Sequence, residues 1–399
     1  MQVSVYKSFA SAEPIRERWD DFVARLDGEI FLTFDWLRVW WKHYHRDRTL
    51  LIHVFEVDGA MVGLLPLCRE TFGRGPLRVS LLRLMGLDYT PVTVSLMVEI
   101  EYADAVAESL LRGLNELEGW DMLLLGPIAG KCRRYLHFYR ALAGAGTESC
   151  SVRIEPAGDQ TYFQLKEDWS TQLALLSKQE RKRTRRALRK LEESGQPLTS
   201  TLAAGQDNVE STFDAFLCAH QQRWIDAGQA GHFGDWPGST SFHREAATTQ
   251  DRLGNLRLLT ISAGQRPIGY KYAYRHGLGY YAYLDARYTE AVRLELDVYR
   301  LTFAELARHA MREGARWIDS MRGRYEHKNH LGGQLYACRR IIAFPARSLW
   351  RVNFLRLRAT LRDLLYAKCW RFRLVPRLGI RPGPLKEAWI RETGLSYLG

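Results

Sequence analysis

The sequence predicts an α/β protein with two related domains, each a mixed, mainly antiparallel sheet flanked by helices, and a basic helical C-terminal extension. In each half of the 399-residue chain an antiparallel meander of strand-like runs precedes a helix and a further strand. Each of these helices is followed by a glycine, Gly119 or Gly314, close before that strand. We expect an N-terminal domain over residues 1–155, a C-terminal domain over 156–345 and the extension over 346–399.

The first half carries a hairpin signal at Asp58-Gly59, because that pair favours the tight turn between two antiparallel strands. In order, its expected elements are a helix and loop over 19–31, an aromatic helix over 34–41, strands over 50–57, 60–69, 75–85 and 92–99, a helix over 102–118 and a buried strand over 122–125.

The second half repeats this order after a basic helix. Its expected elements are helices over 171–193, 208–228 and 240–252, strands over 256–262, 268–275 and 280–285, a helix over 297–312 and a strand over 316–320. A polar cluster from Arg322 to Lys328 follows the last strand, next to the expected site of any chemistry.

The formal net charge of +12 is concentrated in two segments. Residues 177–193 hold eight Lys or Arg against three Glu, and residues 346–399 hold twelve against three acidic residues. The rest of the chain is near neutral. This distribution argues against a protein that binds nucleic acid over its whole surface and favours local contacts with anions.

The tail segment 348–375 predicts an amphipathic helix. Its apolar stripe has helical spacing and is surrounded by arginines; the stripe consists of Trp350, Phe354, Leu357, Leu361 and Leu364. Such a helix suits the interface of an anionic membrane, where basic residues meet lipid headgroups. The alternative is a helix packed on its own domain with its arginines in water.

Several broad classes are not expected. No apolar run approaches the roughly 18–20 residues of a spanning helix, and the N-terminus lacks a signal-peptide pattern. Six scattered cysteines without a CxxC pair indicate reduced thiols, and the histidine spacings predict no metal site. A cytoplasmic location is expected, with peripheral contact at the inner face of the membrane through residues 346–399.

Five motifs in a fixed order carry a family resemblance. They are the aromatic segment from Phe31 to Trp41, the hairpin from Asp58 to Leu67, Leu176-Ser177-Lys178 with the basic run, Gly264–Gly269 with Tyr280–Asp285, and Trp317-Ile318-Asp319 with Gly323 and Lys328. Over residues 15–345 the chain thereby resembles the GNAT-type acyltransferases, specifically the BioF2-like (CelD/BcsL-type) branch near the FemAB aminoacyltransferases.

The resemblance implies two tandem GNAT-like domains and an N-acyltransferase. The donor would be acyl-CoA or an acyl-carrier protein, used as a co-substrate, with no permanently bound cofactor. The acceptor would be the amine of a lipid-like or envelope-associated molecule, such as a sphingoid base receiving a long-chain fatty acyl group in a ceramide synthase-like reaction.

The expected donor loop departs from the family pattern. Residues 287–296 contain no glycine, whereas a pyrophosphate-binding loop usually needs glycines so that backbone N–H groups approach the phosphates. Arg287 and Arg293 can replace part of that binding with charge. With Arg322 and Lys328 they are the predicted co-substrate contacts.

Transfer from a thioester requires a base for the amine, stabilisation of the oxyanion and a proton for the thiolate. Glu326 or His327 is the predicted base, Tyr325 or Tyr281 the predicted proton donor, and Lys328 would hold an anionic group. Asp285, Asp319 and His220 are weaker candidates. The alternative for the whole cluster is a surface loop of self-paired charges.

Two further functions stay open. In a FemAB-like transferase the donor is an aminoacyl-tRNA, and the basic helix over 177–190 would meet the RNA. Alternatively, a GNAT fold without catalytic activity serves as a scaffold in envelope polysaccharide or lipid assembly, which the glycine-free loop favours.

Overall fold

The computed structural model describes residues 1–116, 119–146, 150–193, 195–226, 233, 238–288, 297–374, 377, 389–392 and 394–398. The chain forms two compact units. The first unit comprises Met1–Asp159, Ala337–Phe372 and Pro384–Gly399, and the second comprises Gln160–Tyr336 and Arg373–Gly383. Most of the segment expected as a separate extension is therefore part of the first unit.

The first unit contains a mixed sheet with strand order β1-β2-β3-β4-β6-β13-β7. Its strands are β1 Gln2–Tyr6, β2 Thr49–Val57, β3 Ala60–Phe72, β4 Val79–Leu84, β5 Met97–Val98, β6 Met122–Ile128, and the first-unit parts of β7 Cys150–Gln164 and β13 Gln334–Pro345. Its helices are α1 Phe9–Ala12, α2 Arg16–Arg25, α3 Phe34–Tyr44, α4 Ala103–Glu116 and α5 Arg134–Gly146.

The second unit has the strand order β7-β12-β11-β10-β9-β8. Its further strands are β8 Leu198–Leu202, β9 Leu256–Ala263, β10 Arg266–His276, β11 Gly279–Arg287 and β12 Trp317–Arg322. Its helices are α6 Trp169–Ala174, α7 Lys178–Glu193, α8 Gln206–Asp226, α9 Ser239–Arg252, α10 Val298–Arg312 and α11 Glu326–His330.

Both sheets contain one parallel pair in the same topological place. In the first unit β4 runs parallel to β6, and in the second β11 runs parallel to β12. The pairs β1–β2, β2–β3, β3–β4, β6–β13, β7–β12, β8–β9, β9–β10 and β10–β11 are antiparallel. A helix connects the two strands in each case, α4 or α10, as a parallel crossover requires. The predicted internal repeat is thus visible in the strand order of each unit.

In the first unit, a segment of the chain itself lies beside the parallel strand pair. Val94 forms a parallel bridge to Ile128, its N–H donates to Pro127 O at 3.2 Å, and its carbonyl accepts from the N–H of Ala129 at 2.9 Å. Residues 92–96, predicted as a strand, are buried in this position. Protein main chain therefore occupies the place beside β6.

The strand β13 and most of β7 were not predicted from the sequence. β7 covers the region expected to hold the domain boundary, and Pro156 and Gly158 in it obscure the strand pattern. The expected helix over 171–193 is two helices, α6 and α7, and the Ser177 hydroxyl accepts from the N–H of Glu180 at 3.2 Å where the second begins.

The tail forms helix α12 Leu349–Leu364 and a π-helical segment Leu365–Leu374. Val352, Leu355 and Ala359 pack into a core of the first unit, so one face of α12 is buried. The opposite face is exposed and carries most of the predicted stripe; Trp350 is 55% and Leu357 is 52% exposed.

Three arginines of α12 are paired with carboxylates, so they do not form a free basic face around the stripe. Arg356 is fully buried and bonds both carboxylate oxygens of Glu155, at 2.8 and 2.6 Å. Arg351 pairs with Asp121 at 2.6 Å, and Arg358 pairs with Glu392 at 2.7 Å. Glu155 lies on β7, Asp121 directly precedes β6, and Glu392 lies in the C-terminal segment. The sequence pattern of the helix does not show these partners.

Candidate active site

The second unit has an opening at its parallel strand pair. β11 and β12 are paired over Gly279–Tyr281 and Trp317–Asp319, while β11 continues to Arg287. The pairing of β10 with β11 also shifts between Tyr272 and Ala273, so that Tyr283 is an extra residue in β11. A bulge beside an opening re-aims local main chain and side chains, which makes this edge of the sheet a place for a ligand.

Lys271 and Asp285 are two charged residues of this site. They are opposite each other in the register of β10 and β11. The Lys271 Nζ lies 4.9 Å from the centre of the Tyr299 ring on α10. Burial raises the pKa of Asp285, but the charges of Lys271 and Arg223 outweigh it, and the pKa lies below its usual value. Asp285 is therefore an anion in this site.

Helix α8 supports Asp285 from a second direction. Arg223 Nη1 lies 3.9 Å from Asp285 Oδ2. The buried His220 places Nδ1 2.9 Å from the Asp285 carbonyl oxygen, and the Trp224 indole N–H donates to His220 Nε2 at 3.0 Å. The carbonyl accepts only, so Nδ1 carries the proton and the imidazole is neutral. His220 is thus a positioning residue for the end of β11.

Asp319 shapes the turn that leaves β12. It is fully buried, and it accepts from Gln160 Nε2 at 2.6 Å and from the N–H of Met321 at 2.8 Å. Met321 has a φ of 59°, a left-handed conformation that costs energy for a residue with a side chain. Gly323 follows with a φ of 115°, and a Cβ there would lie 2.3 Å from the Tyr325 ring. Only glycine fits this position.

The turn buries the Lys328 ammonium. Its Nζ donates to the carbonyl oxygen of Ser320 at 2.5 Å and lies 5.0 Å from the centre of the Tyr325 ring. Burial lowers the pKa of Lys328 to about 8, against the opposing effect of Asp319 and Asp285. A lysine with such a pKa exchanges protons near physiological pH.

The His327 ring lies between two tyrosines. Its centroid is 4.2 Å from that of Tyr299, edge to face, and 5.4 Å from that of Tyr325, stacked. Burial, and then the charge of Lys328, lowers the pKa of His327. The imidazole is therefore neutral at pH 7 and able to accept a proton.

The structure brings together some of the predicted site residues. His327, Tyr325 and Lys328 form one cluster, and Arg287 at the end of β11 contributes to its electrostatics. The Glu326 side chain lies in solvent, and Tyr281 is fully buried edge-on to Trp317. Arg322 pairs with Gln160 through the strands, and Arg293 lies outside the described residues.

Sequence reasoning missed Lys271, Tyr299 and Gln160. Lys271 stands between Tyr270 and Tyr272 in a strand whose central residues are all buried. A lysine inside such a run was the signal that could have identified it, because buried lysines are rare unless they are paired.

A second feature is the exposed basic face of α7. Its opposite face binds α10: Arg300 donates to Glu180 Oε2 at 2.5 Å and to Thr184 Oγ1 at 3.0 Å. The side chains that point to solvent include Lys178, Lys182, Arg185, Arg186, Arg189 and Lys190. This face lies on the helix that packs against the first turn of α10.

Part of the chain matches a known protein family. Residues 178–329, which contain most of the cluster, match the family model described as "Acetyltransferase (GNAT) domain". This match supports the predicted acyltransferase class, and the predicted α/β fold with its largely antiparallel sheet is confirmed. No curated protein sequence matches the chain.

Solved structures show likeness of fold at low sequence identity. The crystal structure of FemX is similar with a TM-score of 0.58 and 10% identity, covering 86% of this chain and 97% of that chain. L-PGS from Bacillus licheniformis has a TM-score of 0.48 and 10% identity, covering 86% and 96% of the two chains. A tandem GNAT protein from the clavulanic acid biosynthesis pathway has a TM-score of 0.39 and 14% identity, covering 86% and 99%.

Proposed function

We propose that the protein transfers an acyl group from acyl-CoA to the amine of a lipid-like or envelope-associated acceptor, a sphingoid base among them, at the opening between β11 and β12. The observation that carries the proposal is the neutral His327 imidazole beside the Lys328 ammonium, inside the residues that match the GNAT domain. A neutral base is what an amine nucleophile needs, since the amine must lose a proton as it attacks.

The reaction needs three groups. His327 accepts the proton of the attacking amine. Main-chain N–H groups at the bulge of β11 stabilise the thioester oxyanion, and the half-exposed Tyr325 hydroxyl donates a proton to the departing thiolate. The C–N bond forms as the C–S bond breaks, so that the products are an amide and free CoA thiol. Glu326, which lies in solvent, is not used in this scheme.

Arg287 is proposed to bind a phosphate of the donor. It lies at the end of β11, shortly before α10 begins, and a helix N-terminus in this place favours phosphate groups. Arg293 would add to this binding.

The acceptor is proposed to come from a membrane. Among the described residues no helix is long and apolar enough to cross a bilayer. The exposed stripe of α12 presents Trp350, Phe354 and Leu357 to its surroundings, and aromatic and aliphatic side chains of this kind insert at a lipid interface. We accordingly propose a peripheral position at the inner face of an anionic membrane.

A second candidate is transfer from an aminoacyl-tRNA. The exposed basic face of α7 favours it, because a row of Lys and Arg on one helix face suits the phosphates of RNA. The fold likeness to FemX adds to this candidate.

One experiment separates these functions. The full chain is incubated with a panel of amines and either an acyl-CoA series or aminoacyl-tRNA, with and without ribonuclease, and products are identified by mass spectrometry. We expect thiol release with at least one long-chain acyl-CoA. Activity that disappears after nuclease treatment would assign the tRNA donor instead, and a chain that consumes neither donor would be a scaffold.

The base is tested by His327→Gln. We expect kcat to fall by about 10²–10⁴-fold, the usual effect of losing a general base. The matched control is His330→Gln, which alters an exposed histidine on the same short helix α11 and should retain activity. Equal activity of the two variants would remove His327 from the mechanism.

A further inference from the structure

We propose that the acceptor amine carries a carboxylate or phosphate group close to its nitrogen, and that Lys271 and Lys328 bind this anion. The inference rests on the proposed function, since it narrows the class of acceptor that the same opening takes to amines with an anionic group and so disfavours an uncharged sphingoid base.

Two ammonium groups are buried in this site. Lys271 is 4% exposed and Lys328 is 6% exposed. Lys271 comes from β10 and Lys328 from α11, yet each lies over a tyrosine ring that also contacts His327. The two cations therefore flank the proposed base from two directions.

Among the described residues, the cations of the cluster outnumber its carboxylates. Lys271, Lys328 and Arg223 lie around Asp285 and Asp319, whereas Arg287, which also has Asp297 as a neighbour, is assigned to the donor phosphate. Asp319 is already held by Gln160 and the Met321 N–H, and Asp285 is shared between Lys271 and Arg223. Because burying a cation without a counter-charge is costly, a site of this composition is stabilised by an anionic ligand.

The electrostatics of Lys271 favour an anionic ligand. Burial lowers its pKa, and the positive charges of Arg287 and Arg223 lower it further, against the single opposing effect of Asp285. A bound carboxylate or phosphate would reverse this balance and restore the ordinary pKa.

The anion belongs to the acceptor and not to the donor. His327 contacts Tyr299, and Tyr299 lies directly beneath the Lys271 ammonium, so the cations are next to the atom that takes the proton. In acyl-CoA the whole pantetheine arm separates the phosphates from the thioester. An anion close to the reacting nitrogen is therefore part of the amine, as in an amino acid or a phosphorylated amino alcohol.

The test compares acceptors that differ in one charge. With saturating long-chain acyl-CoA, kcat/KM is measured for 2-aminododecanoic acid against its carboxamide, and for phosphoethanolamine against ethanolamine. We expect the wild type to prefer the charged member of at least one pair by about tenfold or more. The pair that shows the preference distinguishes carboxylate from phosphate. In Lys271→Met the preference should fall to about twofold or less, whereas Lys166→Met, an exposed lysine of the same unit, should keep it.

An equilibrium measurement keeps the inference testable without turnover. We expect the charged compounds, added without donor, to raise the thermal midpoint of the wild type but not of Lys271→Met. Lys328→Met serves as the second variant if Lys271→Met does not fold.

Three results would overturn the inference. Equal kcat/KM for the charged and uncharged members of both acceptor pairs would overturn it, and the proposed acyl transfer would still stand. An equal shift of the thermal midpoint in wild type and Lys271→Met would also overturn the inference, even where no acyl transfer is detected. A Lys271→Met effect confined to the KM for acyl-CoA would assign the anion to the donor. Failure of every amine to release thiol would instead remove the proposed function, and the midpoint measurement would still decide the anion site.

Discussion

The ammonium of Lys328 lies in the interior of the second unit with a carbonyl oxygen and a tyrosine ring as its neighbours. Burial opposes its charge, and Asp319 and Asp285 compensate only in part, so that the pKa is about 8 and not 10.5. The folded protein therefore carries a free-energy cost whenever Lys328 is protonated. Strongly shifted pKa values of this kind cluster at functional sites.

This cost predicts a dependence of stability on pH. Below about pH 8 the lysine is charged in both folded and unfolded states and the full cost is present; between pH 8 and 10.5 the unfolded state binds more protons, so folding stability rises with pH. We expect Lys328→Met to be more stable than wild type at pH 7 by up to about 3 kcal/mol. This gain should shrink as the pH rises to 10.5.

The measurement is denaturant unfolding of both proteins at pH 7, 9 and 10.5, values that span the interval between the two pKa values. Lys182→Met, which changes an exposed lysine on α7, is the control and should show no such trend. A difference between Lys328→Met and wild type that stays constant over this range would contradict the burial of the charge.

At the scale of elements, the predicted apolar stripe of α12 is present, but its arginines have partners that the sequence pattern did not indicate. Its apolar stripe was predicted, and the stripe is exposed. Its arginines were expected to provide charge for lipid headgroups, yet Arg351, Arg356 and Arg358 bind carboxylates of the first unit. The turn Gly75–Leu77 packs beside α12, and the exposed Arg74 and Arg78 that flank it are a different source of positive charge.

The stripe predicts binding to vesicles. We expect Trp350→Glu with Phe354→Glu to reduce the fraction bound to anionic vesicles by about tenfold or more, because each aromatic side chain contributes about 1.5–3 kcal/mol when it leaves water. Co-sedimentation with phosphatidylglycerol vesicles measures this. Leu335→Glu, an exposed leucine on β13, is the control. Unchanged binding of the double variant would exclude α12 as the membrane-binding element.

The sequence predicted those elements whose hydrophobic periodicity and turn residues agree. It failed for elements that depend on contacts between residues distant in the sequence. The hairpin at Asp58-Gly59 and the strand from 280–285 lie within observed strands or turns. β13 was missed because Arg339 and Arg340 interrupt its apolar run, and Arg340 is buried only because Glu155 and the carbonyls of Gly394 and Ser396 bind it. Likewise, Lys271 and Asp285 meet only through strand register, which single-sequence periodicity does not provide.

At the scale of the whole molecule, residues near the C-terminal end of the chain contact the rest of the first unit. Arg391 bonds Glu70 at 2.7 Å, and Glu392 pairs with Arg358 and Arg362, each at 2.7 Å. Leu395 is buried in the same core as Val352. The last residues of the chain therefore supply both charge and apolar contacts to a unit that begins at residue 1.

We expect deletion of residues 389–399 to lower the thermal midpoint of the first unit by more than about 5 °C, since breaking buried ion pairs costs about 3–5 kcal/mol. Calorimetry or circular dichroism measures this. A chain lacking only residues 398–399 is the control, because Leu398 is exposed. An unchanged midpoint in the longer deletion would show that the segment is dispensable for folding.

The Val94–Ile128 bridge has a consequence for how the two halves of the repeat are used. Main chain already occupies the place beside the parallel pair of the first unit, whereas the corresponding strands of the second unit diverge after Tyr281 and Asp319. The stoichiometry of donor binding should then be one per chain and not two. We therefore expect substitutions beside Val94 to change the stability of the first unit and to leave the number of donor molecules bound per chain unchanged.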